Sequence, residues 1–582
     1  MLNTKVIDLL FIIILLSPPF KFANKIFTLP GFITGPFTTD LVAWPLLIGM
    51  VYTMYCQFKY GNVIAHWDKF KRFILAYFVV LVVSLVWGYI SYPYFDLAFQ
   101  TQTLGSGKIV WLMNHLSAAG VPINEGRLMG FWMFARPLKT ILLNLFYTFG
   151  GAYMIYCWYH NRVEQAVRLV MNVTVGFLFV LAAYGIVEVC YQNGQMWAQK
   201  FLLFMWPILH SNPNPGHHFY PELMGARVRT LFLEASYFGI YLSFAVPILW
   251  WKMTTERGIR FWILSILYVV LAFELYLMQS RTASAIFIGE LLLLTAGALY
   301  IRKRRLLLNT LGLFLGALIA FGGSMYFLEH YQVPVGVGSY TPVATKRLDL
   351  EKKGLWGSNV NKNNLERSQV MANNNSNTSA PDKRLNSGKK GPEKNNEKKS
   401  SQATSYINDS LFSLVDTEKA KNRAGSNHVR YGITLANIEI GLHHNPLLGV
   451  GSGLDTAYLY DKFKADKNGE IQRFIKQVKT EGLLNSGSPF MCEYTAQFMQ
   501  TGILGLAFFV MPMMYVLFQL LMIFLKSKLD YCQSVALLFI ILVDVGLSIT
   551  GFGNTLNITY CYWLMLGLSY AVYYSFKSKI AK

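Results

Sequence analysis

Residues 280–305 read SRTASAIFIGELLLLTAGALYIRKRR. Between Ala283 and Ile301 the sole acidic or basic side chain of the Asp, Glu, Lys, Arg and His set is Glu290, and the run suffices for one membrane crossing, which takes roughly 20 apolar residues. Arg281 stands at one end and the cluster Arg302-Lys303-Arg304-Arg305 at the other. Lysine and arginine accumulate on the cytoplasmic side, so the RKRR end is expected inside and Arg281 outside. An arginine in a very short outer connection opposes that bias and cannot snorkel inward, so it calls for a partner at the membrane face.

The pattern extends in both directions. Apolar runs near 5–23, 38–57, 73–94, 139–158, 167–191, 230–251, 261–279, 283–301, 306–327, 501–525, 533–552 and 557–576 predict about twelve spans. With a cytoplasmic N-terminus, every inner connection is basic: Lys59, Lys69, Lys71 and Arg72; Arg162; Lys252, Arg257 and Arg260; Arg302 to Arg305; Lys526 and Lys528; and Lys577, Lys579 and Lys582. Both termini are then cytoplasmic. The long connections near 95–138, 192–229 and 328–500 fall outside, where long loops translocate largely regardless of charge. The run from Val6 to Pro19 imitates a signal peptide, but no small-residue cleavage pattern follows, so it reads as the first span.

Composition agrees. The 582 residues are 53% hydrophobic and only 14% charged, which soluble domains do not match. The net charge of +21 sits beside apolar spans and in one low-complexity segment, which fits an anionic membrane surface and excludes nucleic-acid binding as the main function. Six cysteines without a CxxC pair indicate neither a disulfide framework nor a zinc site. The expected fold is an all-α polytopic membrane protein in three parts: an N-terminal membrane region (1–327), a large extracytoplasmic loop (328–500) and a C-terminal membrane region (501–582). Within the loop, 346–427 is rich in Asn, Lys, Ser and Glu and predicts a disordered insertion, because so few apolar residues cannot offset the entropy of ordering. After it, Val429, Ile433, Ala436 and Ile440 recur at helical spacing, Ser426 or Asn427 can cap, and Pro446 stops an amphipathic helix.

Four constellations gather near the outer face. In GARVRTLFLEASYFG, Arg227 and Arg229 precede a span that begins with Glu234, Ser236 and Tyr237. They form either an interfacial anchor or part of a site. Arg281 is the second, since a guanidinium presents a charged planar fork to phosphate oxygens. The third is Arg430, followed by His443, His444 and the turn HHNPLLGVGSG, whose Gly449, Gly451 and Gly453 suit close backbone approach to a ligand or simply shape a re-entrant turn. In the fourth, Glu493 and Gln497 lie one helical turn apart before Gly502 and Gly505, a pattern that a polar helix entry and small packing residues also explain.

The wording and order of RTLFLEASYFG, QSRTASA, VRYGITLANIEIGLHHNPLLGVGSGLDTAY and MQTGILGLAFF resemble the O-antigen polymerase and O-antigen ligase family of polytopic membrane glycosyltransferases, over about Arg227 to Phe509. Two departures stand out. LNSGSPFMCEYTAQF lacks the histidine that ligases carry before the last motif, which tilts the reading toward polymerase, and Ala235 replaces a common proline. The resemblance implies a polymerase joining oligosaccharide repeat units carried on undecaprenyl diphosphate, at the outer face of the cytoplasmic membrane. Arg281 and Arg430, with Arg227 or Arg229, would neutralise the leaving diphosphate. Glu234 is the first candidate for base, and His443 the second. His444 and the three glycines would form the substrate loop. No cofactor is expected, and no metal, since arginine can neutralise diphosphate and no DxD-like pattern stands in an outer loop. Expected partners are the lipid-linked donor, the growing polysaccharide, membrane lipids, and the flippase and chain-length regulator of the same pathway. A ligase, a flippase and a non-enzymatic scaffold are the alternatives; Glu290 and Asp544 inside spans are what a transporter would use.

Overall fold

The computed structural model describes residues 3–21, 40–61, 68–101, 114–120, 125–209, 227–331, 426–466, 468–483 and 486–580. Among the described residues the structure is helical, without a strand. The helices are α1 (Thr4–Leu16), α2 (Ala43–Tyr60), α3 (Lys69–Ile90), α4 (Phe95–Thr101), α5 (Glu125–Leu145), α6 (Gly151–Tyr159), α7 (Val163–Gln192), α8 (Met196–Leu209) and α9 (Ala235–Thr255). They continue as α10 (Ile259–Leu277), α11 (Arg281–Ile301), α12 (Arg304–His330), α13 (Ser426–His444), α14 (Asp455–Phe463), α15 (Gly469–Glu481), α16 (Glu493–Lys526), α17 (Tyr531–Thr550) and α18 (Cys561–Ile580). Eight helical stretches among the described residues are long and apolar enough to cross a membrane: α3, Gly126–Tyr159, α7, α10, α11, α12, α16 and α17.

Burial shows what solvates them. Leu311, Leu315 and Leu318 of α12 are each at least 60% exposed, an outward apolar face that only lipid or another apolar surface would tolerate. By contrast α9 is buried on nearly every side, as a helix apolar all round should be, and it packs along α7 and α17. At one end of the bundle basic side chains collect. Lys252 pairs with Glu256 at 3.0 Å, and Arg305 reaches the Glu256 carbonyl at 2.9 Å, so two connections that the charge pattern assigns to one side meet there.

Two helices start well before the expected spans. The span read as 139–158 is the later part of one 34-residue helix, Gly126–Tyr159, in which a π-helical turn at Phe146–Gly150 joins α5 to α6. Arg136, Pro137 and Lys139 look like a loop in sequence, yet a proline removes one intrahelical bond and is accommodated inside a packed bundle. The span read from 501 starts at Glu493 and breaks at Gly502, whose φ of 64° interrupts α16. Groups freed by the break bond to the Gly-rich turn: Ile503 N–H donates to the Pro446 carbonyl at 2.8 Å, Val450 N–H to Met499 at 2.9 Å and Gly451 N–H to Gln500 at 3.0 Å. The amphipathic helix is present as α13, with Val429, Ile433, Ala436 and Ile440 all buried, and it packs on α16. The expected disordered insertion at 346–427 lies outside the described residues, apart from Ser426 and Asn427, which open α13.

Candidate functional site

Glu234 is the N-cap of α9 in extended conformation, and its carboxylate accepts a hydrogen bond from Ser236 Oγ at 3.1 Å. Tyr237, on the first turn, lies in the electrostatic fields of both Glu234 and Arg430. Arg430 belongs to α13, far away in sequence, and its Nη1 donates to the Gly553 carbonyl at 2.6 Å. Gly553 in turn abuts Thr282: a Cβ there would stand 3.2 Å from the threonine side chain. Arg281 precedes Thr282 as the first residue of α11, after Ser280, whose hydroxyl caps the helix through Ala283 N–H at 3.4 Å. The half-buried Arg281 and Arg430 and the half-buried Glu234 therefore belong to one neighbourhood at one end of the bundle.

The connection 551–560 is what Arg430 grips, and α16 holds it. Glu493 N–H donates to the Gly551 carbonyl at 2.8 Å, and its carboxylate accepts Leu556 N–H at 3.1 Å and Gln497 Nε2 at 2.9 Å. Tyr77 of α3 donates to Gln497 at 2.8 Å. The Glu493–Gln497 pair, one turn apart, thus ties three elements together. Near it the π-turn and the break in α16 open on a cavity of about 70 Å³ lined in part by Asn144, Thr148, Glu493, Gln500 and Asn557. That is room for a few waters and far too little for a sugar ring.

Arg227 and Arg229 separate sharply. Arg227 is exposed, whereas Arg229 is only 3% exposed and its Nε lies 3.8 Å from Glu188 of α7. Burial pulls the Arg229 pKa below its ordinary value, and the Glu188 carboxylate opposes that pull. Glu188 also accepts the backbone N–H groups of Arg229 and Thr230, each at 2.8 Å. The sequence reading missed it. An acid near the end of a span, EVCYQ, was its only sequence signal.

His443 and His444 are both exposed at the far end of α13. The thirteen-residue offset from Arg430 along one helix corresponds to about 20 Å, so the histidines and the arginine cluster do not meet. His444 packs edge-on against Tyr458, with ring centroids 4.7 Å apart, and partial burial lowers its pKa. Gly449, Gly451 and Gly453 all have positive φ. At Gly449 the reason is close approach: a Cβ would lie 2.5 Å from backbone atoms of Met499, Gln500 and Thr501. At that position glycine serves contact between two chain segments, the re-entrant-turn alternative.

Between α16 and α17 runs an apolar groove of about 690 Å³, lined by residues including Leu506, Val510, Leu517, Ile541, Val545 and Phe552. Phe552 neighbours Gly553, so the groove ends beside the carbonyl that Arg430 binds. Fold and burial define a helical membrane protein with a polar, arginine-bearing cluster at one end of the bundle. Comparison with protein-family models, curated proteins and solved structures finds no match.

Proposed function

We propose that this chain is a polymerase that joins undecaprenyl-diphosphate-linked oligosaccharide repeat units at the outer face of the cytoplasmic membrane. The observation that carries the reading is that Arg430 and the Arg281–Thr282 helix start meet at Gly553, while Tyr237, on the helix that Glu234 opens, lies within electrostatic reach of both Glu234 and Arg430. Two arginines and a glutamate in one neighbourhood match the two demands of the reaction: charge grows on a leaving diphosphate, and a proton leaves the attacking hydroxyl. The adjoining apolar groove supports a donor with a long hydrocarbon tail. In this scheme an acceptor hydroxyl attacks the anomeric carbon of the donor chain. The C–O bond to lipid diphosphate breaks, Arg281 and Arg430 take the diphosphate charge, and Glu234 takes the proton. The growing polysaccharide stays on the outer side, where a flippase delivers donor and a chain-length regulator acts.

The test is incubation of the purified protein with a defined lipid-diphosphate-linked repeat unit, with products resolved by size. A ladder is expected. Transfer of the glycan to a different acceptor would make the chain a ligase, and unchanged donor would remove the enzymatic reading. Glu234→Gln keeps size and hydrogen bonding but cannot take up a proton, so turnover should fall roughly 100-fold with donor binding nearly unchanged. Near-normal turnover would exclude Glu234 as base.

The twelve-span arrangement, with both termini cytoplasmic, belongs to the same proposal and has its own test. Cys532 is the exposed native cysteine at the start of α17, on the side assigned to the cytoplasm, and Leu447 is 58% exposed in the Gly-rich turn. In intact cells an impermeant thiol reagent should label Leu447→Cys and leave Cys532 unmodified until the membrane is permeabilised. The reverse pattern would end the catalytic scheme, because donor and acceptor would face the wrong compartment.

A further inference from the structure

We infer that Glu188 is a positioning residue for the site: it locks the turn 229–234 and thereby sets where Glu234 stands at the start of α9. The inference rests on the proposed function for its kinetic consequence, but not for its geometry. One carboxylate makes three contacts with this turn: with Arg229 N–H, with Thr230 N–H and with the Arg229 guanidinium. Successive N–H groups pointing at one anion form a nest, a conformation that needs a left-handed residue. Thr230 supplies it with φ of 53°, unusual for a β-branched side chain. The anion that fills the nest is the protein's own. Without it the strained threonine would lose the charge-assisted bonds that hold it there.

The far side of the turn leads straight into the site. Phe232 N–H bonds back to the Arg229 carbonyl at 3.1 Å, and two residues later Glu234 occupies the N-cap position of α9. Arg229 also feels Glu234 directly, so both of its carboxylate neighbours bear on one guanidinium. One turn before Glu188 on α7, Gly185 packs against the fully buried Glu274 of α10, where any side chain would collide with it, so the two helices approach closely just below Glu188. Helix α7 thus presents the carboxylate, the carboxylate fixes the turn, and the turn orients Glu234. Glu188 touches neither donor nor acceptor in this arrangement.

Ser236 offers a readout independent of turnover, because its hydroxyl donates to Glu234. In Ser236→Cys the nearby carboxylate should suppress thiolate formation, and alkylation at residue 236, followed by mass spectrometry, reports how close Glu234 stays. Adding Glu188→Gln should raise the alkylation rate at pH 8 roughly five-fold as Glu234 moves off. In the otherwise unaltered chain Glu188→Gln should lower kcat roughly ten-fold or more with donor KM within about two-fold, since misplacement near the reacting centre affects the chemical step. If Glu188→Gln does not fold, Thr230→Gly in the same chain removes the φ strain and permits the same measurement. Unchanged alkylation at 236 in a folded Glu188→Gln protein would overturn the inference. Should the unaltered protein transfer no glycan, the polymerase reading fails while the alkylation result still decides the role of Glu188.

Discussion

Arg430→Ala is expected to reduce polymer formed per folded protein by about 100-fold or more, and Arg281→Ala by a comparable factor. Arg430 starts from a prepared position, and Arg281 from a fixed place at a helix start. Arg430 is oriented by the Gly553 carbonyl at 2.6 Å, and Arg281 opens a helix whose next residue packs against the same glycine. Stabilising charge on a leaving diphosphate works best from groups that need no reorganisation during the reaction. Lysine keeps the charge but loses the planar fork, so Arg430→Lys and Arg281→Lys should retain partial activity at best. If the two arginines act as one clamp, the double alanine variant should be little worse than either single one. Arg430 also ties α13 to the 551–560 connection, so normalisation to folded protein and a separate donor-binding measurement keep a stability loss from being read as a catalytic one. Near-normal turnover in both alanine variants would sink the diphosphate clamp.

The second large effect is on folding. Gly502→Ala should destabilise the protein by about 2–4 kcal/mol, read as a lower unfolding midpoint of the detergent-purified chain. Its φ of 64° is unfavourable for any side chain, and a Cβ there would run into the backbone of Leu447 and Leu448. Neither backbone can retreat, because the Pro446 and Leu448 carbonyls are bonded to Ile503 N–H and Ser84 Oγ at 2.8 and 2.7 Å. Gly449→Ala, on the opposite strand of the same contact, should be similarly costly. Gly432→Ala is the control: it lies within α13 with nothing near its Cβ position, so alanine should gain about 0.5–1 kcal/mol. Equal stability of Gly502→Ala and the parent would mean that the break in α16 is not held by the Gly-rich turn.

How much of this was legible beforehand differs by residue. The apolar face of α13 was readable to the residue, since Val429, Ile433, Ala436 and Ile440 follow the helical period and burial follows the period. The start of α16 was legible only in part: hydropathy begins the span at its apolar part, while the one-turn spacing of Glu493 and Gln497 offers a polar helix entry, and the structure joins the two in one helix that packs on α3 and α13. Motif order groups His443 with Arg430, yet helix rise alone sets them about 20 Å apart along α13.

Local chemistry accounts for what the sequence by itself determined: long apolar helices, charge segregated to connections, an amphipathic helix ended by proline, and a short set of arginines and acids at span ends. Those properties depend on neighbours a few residues apart, which a linear reading contains. Only the tertiary structure decided that Arg430 reaches Gly553 across 123 positions, that Glu188 closes the nest at Arg229–Thr230 across 41, and that Gly449 faces another backbone. Such contacts follow from how helices pack and where their ends coincide, and packing couples residues whose separation along the chain carries no information about their distance in space.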